Sequence, residues 1–215
     1  KLRASSDDSG GVSARTFTGD GNRQYLTGLN LGGRNILILV DVSASMLAQE
    51  LVNVIRLRNM SDDIKRNAEK WKRSVATVEW LTAQLPVNSQ YQIYTFNTAT
   101  QPVIPGTEGS WLEVGDQEQL ENAFLAAVQL SPQPDNIFLI TDGLPTQGAS
   151  GPRGSKINGR ERLRLFERAI AQLPRSVPVN VILAPMEGDP MAASALWQLA
   201  QATSGAFMSP SRDWP

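Results

Sequence analysis

The sequence predicts an α/β fold: a doubly wound, mostly parallel six-stranded sheet with helices on both faces. Two observations lead to this prediction. Short apolar runs, typical of strands that are buried on both faces, alternate along the chain with longer segments whose apolar residues recur at helical spacing. Two of the runs, Ile36–Val40 and Ile137–Ile140, continue directly into polar residues, as strands do where they reach the edge of a sheet.

The apolar runs define the strands. In chain order, the predicted strands are Asn35–Val42, Tyr91–Asn97, Gln101–Ile104, Asn136–Thr141, Val177–Leu183 and Ala206–Ser209. Pro102 lacks a backbone donor, so it favours an edge position for the third strand. Residues 1–33 are rich in Ser, Gly and Asp at their start and are interpreted as a partly disordered arm. We therefore predict one domain over residues 34–209 and a short tail over 210–215.

The helical segments fall between these strands. The predicted helices are Ser61–Leu85, a helix that begins at Asp116, Arg160–Leu173 and Pro190–Thr203. The apolar stripe of the first helix comprises Ile64, Ala68, Trp71, Val75, Val78, Leu81 and Leu85. Asp62 and Asp63 lie in its first turn, where they complement the helix dipole. Strands that alternate with helices in this way favour a doubly wound sheet.

Composition excludes several classes of function. The 20 basic and 21 acidic residues nearly balance, so the chain has no electrostatic footprint for nucleic acid or a membrane surface. Cysteine and histidine are both absent, which excludes disulfides, thiol nucleophiles, His-based triads and most zinc sites. No segment is long and apolar enough to span a bilayer. The 41% of hydrophobic residues can form a sizeable core.

The polar residues that follow two of the strands indicate a metal site. Asp41, Ser43 and Ser45 come directly after the first strand, and Asp142 follows the strand that ends at Thr141. If these strands are parallel neighbours, their carboxyl ends meet at one edge of the sheet, where open α/β folds bind ligands. Carboxylate and hydroxyl oxygens suit Mg²⁺, Mn²⁺ or Ca²⁺. The alternative is that Asp41 only caps a turn.

The pattern Asp41-x-Ser43-x-Ser45-Met46, with Thr141-Asp142-Gly143 after a later strand, resembles the von Willebrand factor type A (vWA) family over about residues 34–209. The resemblance implies a Rossmann-like sheet of order 3-2-1-4-5-6 and a metal-ion-dependent adhesion site. It also implies a protein partner that supplies a carboxylate to the metal. In most relatives the long helix follows the first motif directly, whereas here the insertion Leu47–Met60 intervenes.

The resemblance also implies a third metal loop that carries a threonine. Thr107 matches the residue type but lies early in the chain, whereas Asp116 and Glu118 lie nearer the expected position and have different chemistry. The predicted ligand set is therefore Asp41, Ser43, Ser45, Thr107 and Asp142, with Asp116 and Glu118 as alternatives to Thr107. The insertion is predicted to form one wall of a partner groove opposite the loop Leu144–Gly159. The alternative is that it extends the following helix and packs away from the site.

Three classes of function follow. The first is a metal-dependent module that binds an acidic protein partner, and the second is a vWA fold with a vacant site in a structural role. The third is a metal-assisted hydrolase or phosphotransferase; it is disfavoured because neither motif has a spare carboxylate to act as general base. We therefore expect a monomeric binding domain that is not an enzyme. Because the sequence begins at Lys1 and not at Met, the upstream segment is expected to be a signal peptide, a membrane anchor or simply a flexible segment. With an anchor upstream, the expected location is extracytoplasmic, at the cell envelope.

Overall fold

The computed structural model describes residues 28–29, 31–114, 132–145, 158–174, 176–211 and 214. Its strands are β1 (Asn35–Asp41), β2 (Gln90–Phe96), β3 (Thr100–Pro102), β4 (Leu112–Glu113), β5 (Asn136–Thr141), β6 (Val179–Leu183) and β7 (Phe207–Met208). All seven belong to one sheet. The helix predicted from Asp116 lies outside the described residues.

The strand order confirms the predicted sheet. It is β3-β2-β1-β5-β6-β7, and only the pairings of β3 and β4 with β2 are antiparallel. The prediction of six strands was wrong by one, because β4 pairs with the start of β2 through Leu112 and Glu113. Two residues without an alternating apolar pattern give no strand signal in the sequence.

Helices cover both faces of the sheet. The α-helices of the described residues are α1 (Leu51–Leu57), α2 (Asp62–Arg66), α3 (Glu69–Gln84), α4 (Gly159–Ile170) and α5 (Ala192–Ala202). Alternate residues of β1 point to opposite sides, with Leu37 in the core beneath α4 and α5, and Ile36 and Ile38 in the core beneath α3. None of the helices in the described part of the chain has the length and apolar character that a membrane crossing requires.

The predicted helix Ser61–Leu85 is broken in the structure. The short helix α2 ends at Arg66, and Ala68 is extended (φ −60°, ψ 131°) before α3 begins at Glu69. The amide of Asn67 donates to the Asp63 carbonyl at 2.9 Å, which closes the end of α2 by a side-chain bond. A continuous stripe through Ile64 was therefore wrong, and Ile64 is 46% exposed. The break gives α3 its own direction, with its first turn at the polar edge of the sheet.

The core begins before the predicted start of the domain. Leu29 and Leu31, which fall within the predicted arm, are buried in the apolar layer beneath α3. Burial of two leucines contributes about 3–6 kcal/mol relative to exposure. The folded domain therefore includes at least Leu29 and Leu31 of the predicted arm.

Candidate metal centre

Adjacency of β1 and β5 brings the two predicted motifs together. The strands pair in parallel, with Val40 opposite Ile140, so that both end at the same edge of the sheet. Asp41 is the last residue of β1, and Asp142 is the first residue after β5. Both carboxylates are buried, at 8% and 5% exposed. The sheet therefore holds two carboxylates side by side at the edge where the sequence placed them.

Asp41 is fixed by bonds to both motifs. Its Oδ1 accepts from the backbone N–H of Ser43 at 2.8 Å, and its Oδ2 accepts from the Thr141 hydroxyl at 2.9 Å. The first bond forms a tight turn after β1, and the second ties that turn to β5. Asp41 thus caps a turn, as the alternative interpretation proposed, and also faces the other polar residues of the edge.

The two serines connect the first motif to Asp142. The Oγ atoms of Ser43 and Ser45 lie 2.7 Å apart, and the Ser45 hydroxyl donates to Asp142 Oδ1 at 3.0 Å. Ser45 lies in a 3₁₀ turn (Ala44–Leu47), and the side chain of Met46 in the same turn is buried in the core. A short turn held by an apolar side chain therefore presents the Ser45 hydroxyl to the Asp142 carboxylate, and the Ser43 hydroxyl lies against Ser45.

These oxygens fit a hard divalent cation. Two carboxylates and two hydroxyls offer only oxygen donors, which Mg²⁺, Mn²⁺ and Ca²⁺ prefer. In the described residues, no three Asp, Glu, His or Cys side chains are grouped so that they could hold an ion, and at this edge two serine hydroxyls accompany the two carboxylates. Asp41, Ser43, Ser45 and Asp142 therefore form the candidate centre, and we call these four residues the oxygen cluster.

A lysine that the sequence analysis missed lies beside the oxygen cluster. Lys70 Nζ is 2.6 Å from Asp142 Oδ2 and also donates to the carbonyls of Ser45 at 3.0 Å and Ala48 at 3.3 Å. The Lys70 and Asp142 side chains are each only 5% exposed. One face of α3 buries Lys70, Ser74, Thr77 and Leu81. The polar residues of this face recur at helical spacing in line with Leu81, and this spacing is the feature of the sequence that could have identified Lys70 as buried.

Burial dominates the electrostatics of this edge. It lowers the pKa of Lys70, and the neighbouring Asp142 carboxylate opposes that change. It raises the pKa of Asp41, and the negative charge of Asp142 raises it further. Hydrogen bonds from Ser43 and Thr141 act in the opposite direction and favour the Asp41 carboxylate.

The structure does not bring Thr107 to the oxygen cluster. Its hydroxyl donates to the Ile104 carbonyl at 2.8 Å and accepts from the Gln92 amide at 3.2 Å. Gln92 pairs with Leu37, four residues before Asp41 along the sheet, which is about 13 Å of strand. The prediction of Thr107 as a ligand is therefore corrected. The buried Gln92 amide of β2 binds Thr107 and holds it away from the sheet edge that carries the oxygen cluster. Asp116 and Glu118 lie outside the described residues.

An ion pair joins the loops that follow β5 and β6. Arg162 Nη2 is 2.8 Å from Asp189 Oδ2, and the same carboxylate oxygen accepts from the Leu144 N–H at 2.8 Å. Arg162 also donates to the Leu144 carbonyl at 2.7 Å. A Cβ at Gly143 would lie 2.9 Å from Asp189 Oδ2, so a larger residue would have to displace this carboxylate. Gly143 therefore makes room for Asp189.

A cleft of about 470 Å³ opens beside the oxygen cluster. Asp142 lines it, together with Gln49 and Glu50 on one side and the segment from Ala184 to Glu187 on the other. The Glu187 N–H donates to the Gln49 carbonyl at 2.9 Å, and the Leu51 N–H donates to Glu187 Oε2 at 3.2 Å. The beginning of the insertion is thus attached to the segment that follows β6.

The insertion Leu47–Met60 forms its own helix, α1, separate from α3. Val54 is buried, whereas Leu51, Val52 and Ile55 are 51%, 76% and 48% exposed. Gln49 and Glu50 of the insertion line the cleft, and among the described residues the segment after β6 lies opposite them. Residues 146–157 of that loop lie outside the described residues.

Comparison with known proteins supports the fold. No protein-family model matches the sequence, and no curated protein matches it. Among solved structures, the chain is similar to a von Willebrand factor type A protein from Catenulispora acidiphila, with 15% identity and a TM-score of 0.50 over 84% of this chain. It is also similar to the PilB minor pilin from Streptococcus sanguinis, with 15% identity and a TM-score of 0.44 over 85% of this chain.

The chain spans 39% and 58%, respectively, of the lengths of these two proteins. Identities this low bear on the fold alone, and the match at a TM-score of 0.50 agrees with the strand order and with helices on both faces. The chain therefore has a von Willebrand factor type A-like fold.

Proposed function

We propose that this protein is a metal-dependent protein-interaction module, and not an enzyme, in which the oxygen cluster holds a divalent cation that captures an acidic residue of a partner. The observation that carries the proposal is the meeting of Asp41, Ser43, Ser45 and Asp142 at the carboxyl edge of β1 and β5, beside an open cleft. The vWA-like fold supports a role as an interaction module.

The chain's own residues favour binding over catalysis. Asp41 accepts bonds from Ser43 and Thr141, and Asp142 accepts from Ser45 and Lys70, so each carboxylate is already engaged. The chain has no histidine, and neither motif supplies a further carboxylate to act as general base. Ser43 and Ser45 are neutral donors, so only Asp41 and Asp142 can offset the charge of a bound cation. When bound, the cation would supply a positive centre that attracts an anionic oxygen from outside the protein.

One observation favours a second function, a structural role without metal. The Lys70 ammonium pairs with Asp142, so a cation already lies directly beside the cluster. In the described residues, no buried side-chain N or O lacks a hydrogen-bond partner. An edge that is satisfied internally can be stable without an ion. A measurement of metal binding distinguishes the metal-dependent interaction module from the structural role without metal.

Mg²⁺ should stabilise the native protein, and substitution of Asp41 should remove this effect. At one hundred times its dissociation constant, a ligand that binds only the folded state adds about 2.7 kcal/mol to the free energy of unfolding. Thermal melts of the wild type, Asp41→Ala and Asp41→Asn, each with Mg²⁺ and with EDTA, measure it. Asp63→Ala, at an exposed carboxylate on α2, serves as the control and should keep the wild-type shift.

A wild type whose melting temperature is the same in millimolar Mg²⁺ and in EDTA would reject the metal-dependent function in favour of the structural one. Asp41→Asn preserves the shape of the side chain. It also keeps one side-chain oxygen, which can still accept one of the two hydrogen bonds that Ser43 and Thr141 donate. It therefore separates loss of metal binding from loss of the turn after β1.

We also propose that the exposed apolar residues of α1 contact the partner, because α1 begins directly after Glu50, which lines the same cleft as Asp142. The double substitution Val52→Ser, Ile55→Ser should leave the Mg²⁺-dependent melting shift unchanged, since neither side chain touches the oxygen cluster. It should reduce capture of proteins that bind with Mg²⁺ and are released by EDTA. The control is Val87→Ser, at a valine that is 63% exposed and precedes β2.

A pull-down in Mg²⁺ and in EDTA compares the variants, and only proteins lost with Asp41→Asn are counted. Equal capture of these proteins by the α1 variant and the Val87 control would show that α1 does not contact the partner.

A further inference from the structure

A positive charge that belongs to the protein lies directly beside the oxygen cluster, on Lys70. Lys70 is the second residue of α3, and the break at Ala68 lets the helix begin directly beside the turn that carries Ser45. Its ammonium is held by Asp142 Oδ2 at 2.6 Å and by the Ser45 and Ala48 carbonyls. Only 5% of the Lys70 side chain is exposed, so its ammonium is held beside Asp142 and largely away from solvent.

Lys70 changes the charge that an incoming ion meets. Asp41 and Asp142 together carry two negative charges when ionised, and the ammonium offsets one of them. The cluster therefore has a net charge of minus one in place of minus two. Charges this close, shielded from water, interact far more strongly than charges in solution. A divalent cation is attracted less than two carboxylates alone would attract it.

The second consequence concerns the bound state. A divalent cation in a cluster of net charge minus one leaves one positive charge uncompensated, and a single carboxylate from outside would neutralise it. Without Lys70, the two aspartates would neutralise the cation by themselves. The lysine therefore weakens the hold on the ion while it strengthens the attraction of the loaded site for an anionic partner group.

We propose that Lys70 is a specificity-determining residue that keeps the divalent-cation affinity of the isolated protein low by occupying one carboxylate oxygen of the oxygen cluster with an internal cation. This inference rests on the proposed function, because it concerns the same site. In a site without such a lysine, both aspartates would face only the metal; here one oxygen of Asp142 faces the Lys70 ammonium. The inference assigns a binding role to a buried lysine whose contacts would otherwise be only structural.

Calorimetric titration of the metal alone tests the inference. Mg²⁺ and Mn²⁺ are titrated into the wild type, Lys70→Met and Lys70→Gln at one pH and ionic strength. Both substitutions remove the charge, and glutamine keeps a hydrogen-bond donor near Ser45 and Asp142. We expect both variants to bind the ions at least about tenfold more tightly than the wild type. Structural damage would instead weaken binding, so the direction of the change identifies the role of the charge.

The control is Arg73→Met, on the same helix, where the arginine pairs with the exposed Glu69 at 2.6 Å. Its affinity should stay within about twofold of the wild type, because a surface charge is screened by solvent and salt. Circular dichroism confirms the fold of each variant, and Lys70→Gln carries the test if Lys70→Met does not fold.

Equal or weaker affinity in the Lys70 variants would overturn the inference, and metal binding by the wild type would then leave the proposed function standing. Binding by the variants alone would support the inference and reject metal dependence for the native protein. Absence of binding in every variant would overturn both.

Discussion

Replacement of Lys70 by methionine should lower the free energy of unfolding by about 3–5 kcal/mol when divalent cations are absent. The substitution leaves the Asp142 carboxylate, 5% exposed, without its ammonium partner. It also removes the donor to the Ser45 and Ala48 carbonyls. Urea denaturation in EDTA measures the loss. Because Mg²⁺ can then occupy the vacated position, its addition should stabilise this variant more than it stabilises the wild type.

The control for this prediction is Arg73→Met, which removes a pair whose Glu69 is 81% exposed and should cost less than about 1 kcal/mol. The double variant Lys70→Met, Asp142→Asn removes both buried charges and should recover part of the loss, since an uncompensated charge is the main cost. If Lys70→Met unfolds at the same urea concentration as the Arg73 variant, the ion pair does not hold this edge together.

Replacement of Arg162 by methionine should lower the free energy of unfolding by about 2–4 kcal/mol, somewhat less than Lys70→Met because Arg162 is 19% exposed. Asp189, 3% exposed, would lose its cation, and the Leu144 carbonyl would lose both guanidinium bonds. The loops after β5 and β6 would then be joined mainly by the Leu144 N–H bond to Asp189. Guanidinium chloride denaturation measures the change.

Lys65→Met is the matched control for Arg162, because its partner Asp62 is 79% exposed and the pair should contribute less than about 1 kcal/mol. The Mg²⁺-dependent melting shift should persist in Arg162→Met, since Arg162 is not among the partners of the oxygen cluster. If Arg162→Met is as stable as Lys65→Met, then Arg162 does not hold the loops after β5 and β6 together. Loss of the metal shift would show that Arg162 supports the metal centre.

Local patterns predicted the parts of the fold that depend on local sequence. The apolar run at Ile36–Val40 indicated β1 because a strand buried on both faces needs apolar residues at successive positions. The second run indicated β5 for the same reason, and the resemblance to the vWA family supplied the order that makes the two strands neighbours. Because adjacent parallel strands end together, Asp41 and Asp142 were expected at one edge of the sheet.

Predictions failed where tertiary packing overrode local preference. Alanine is the best helix former, so helix propensity gives no sign of the break at Ala68, and the packing of α3 against the sheet decides where the new helix begins. Thr107 had the right residue type for a ligand, but its position is fixed by Gln92, fifteen residues earlier on β2. A hydrogen bond between segments that are distant in sequence leaves no local signal.

The sequence by itself determined the α/β class, the positions of the main strands, and the two carboxylates and two hydroxyls of the oxygen cluster. These follow from periodicity and from the residues that end each strand, which are properties of short segments. Only the tertiary structure decided that Lys70 faces Asp142, that Arg162 joins the loops after β5 and β6, and that Gln49 and Glu50 border the cleft opposite Ala184–Glu187. Each of these depends on the distance between segments that are far apart in the chain, and that distance is set by the packing of helices on the sheet.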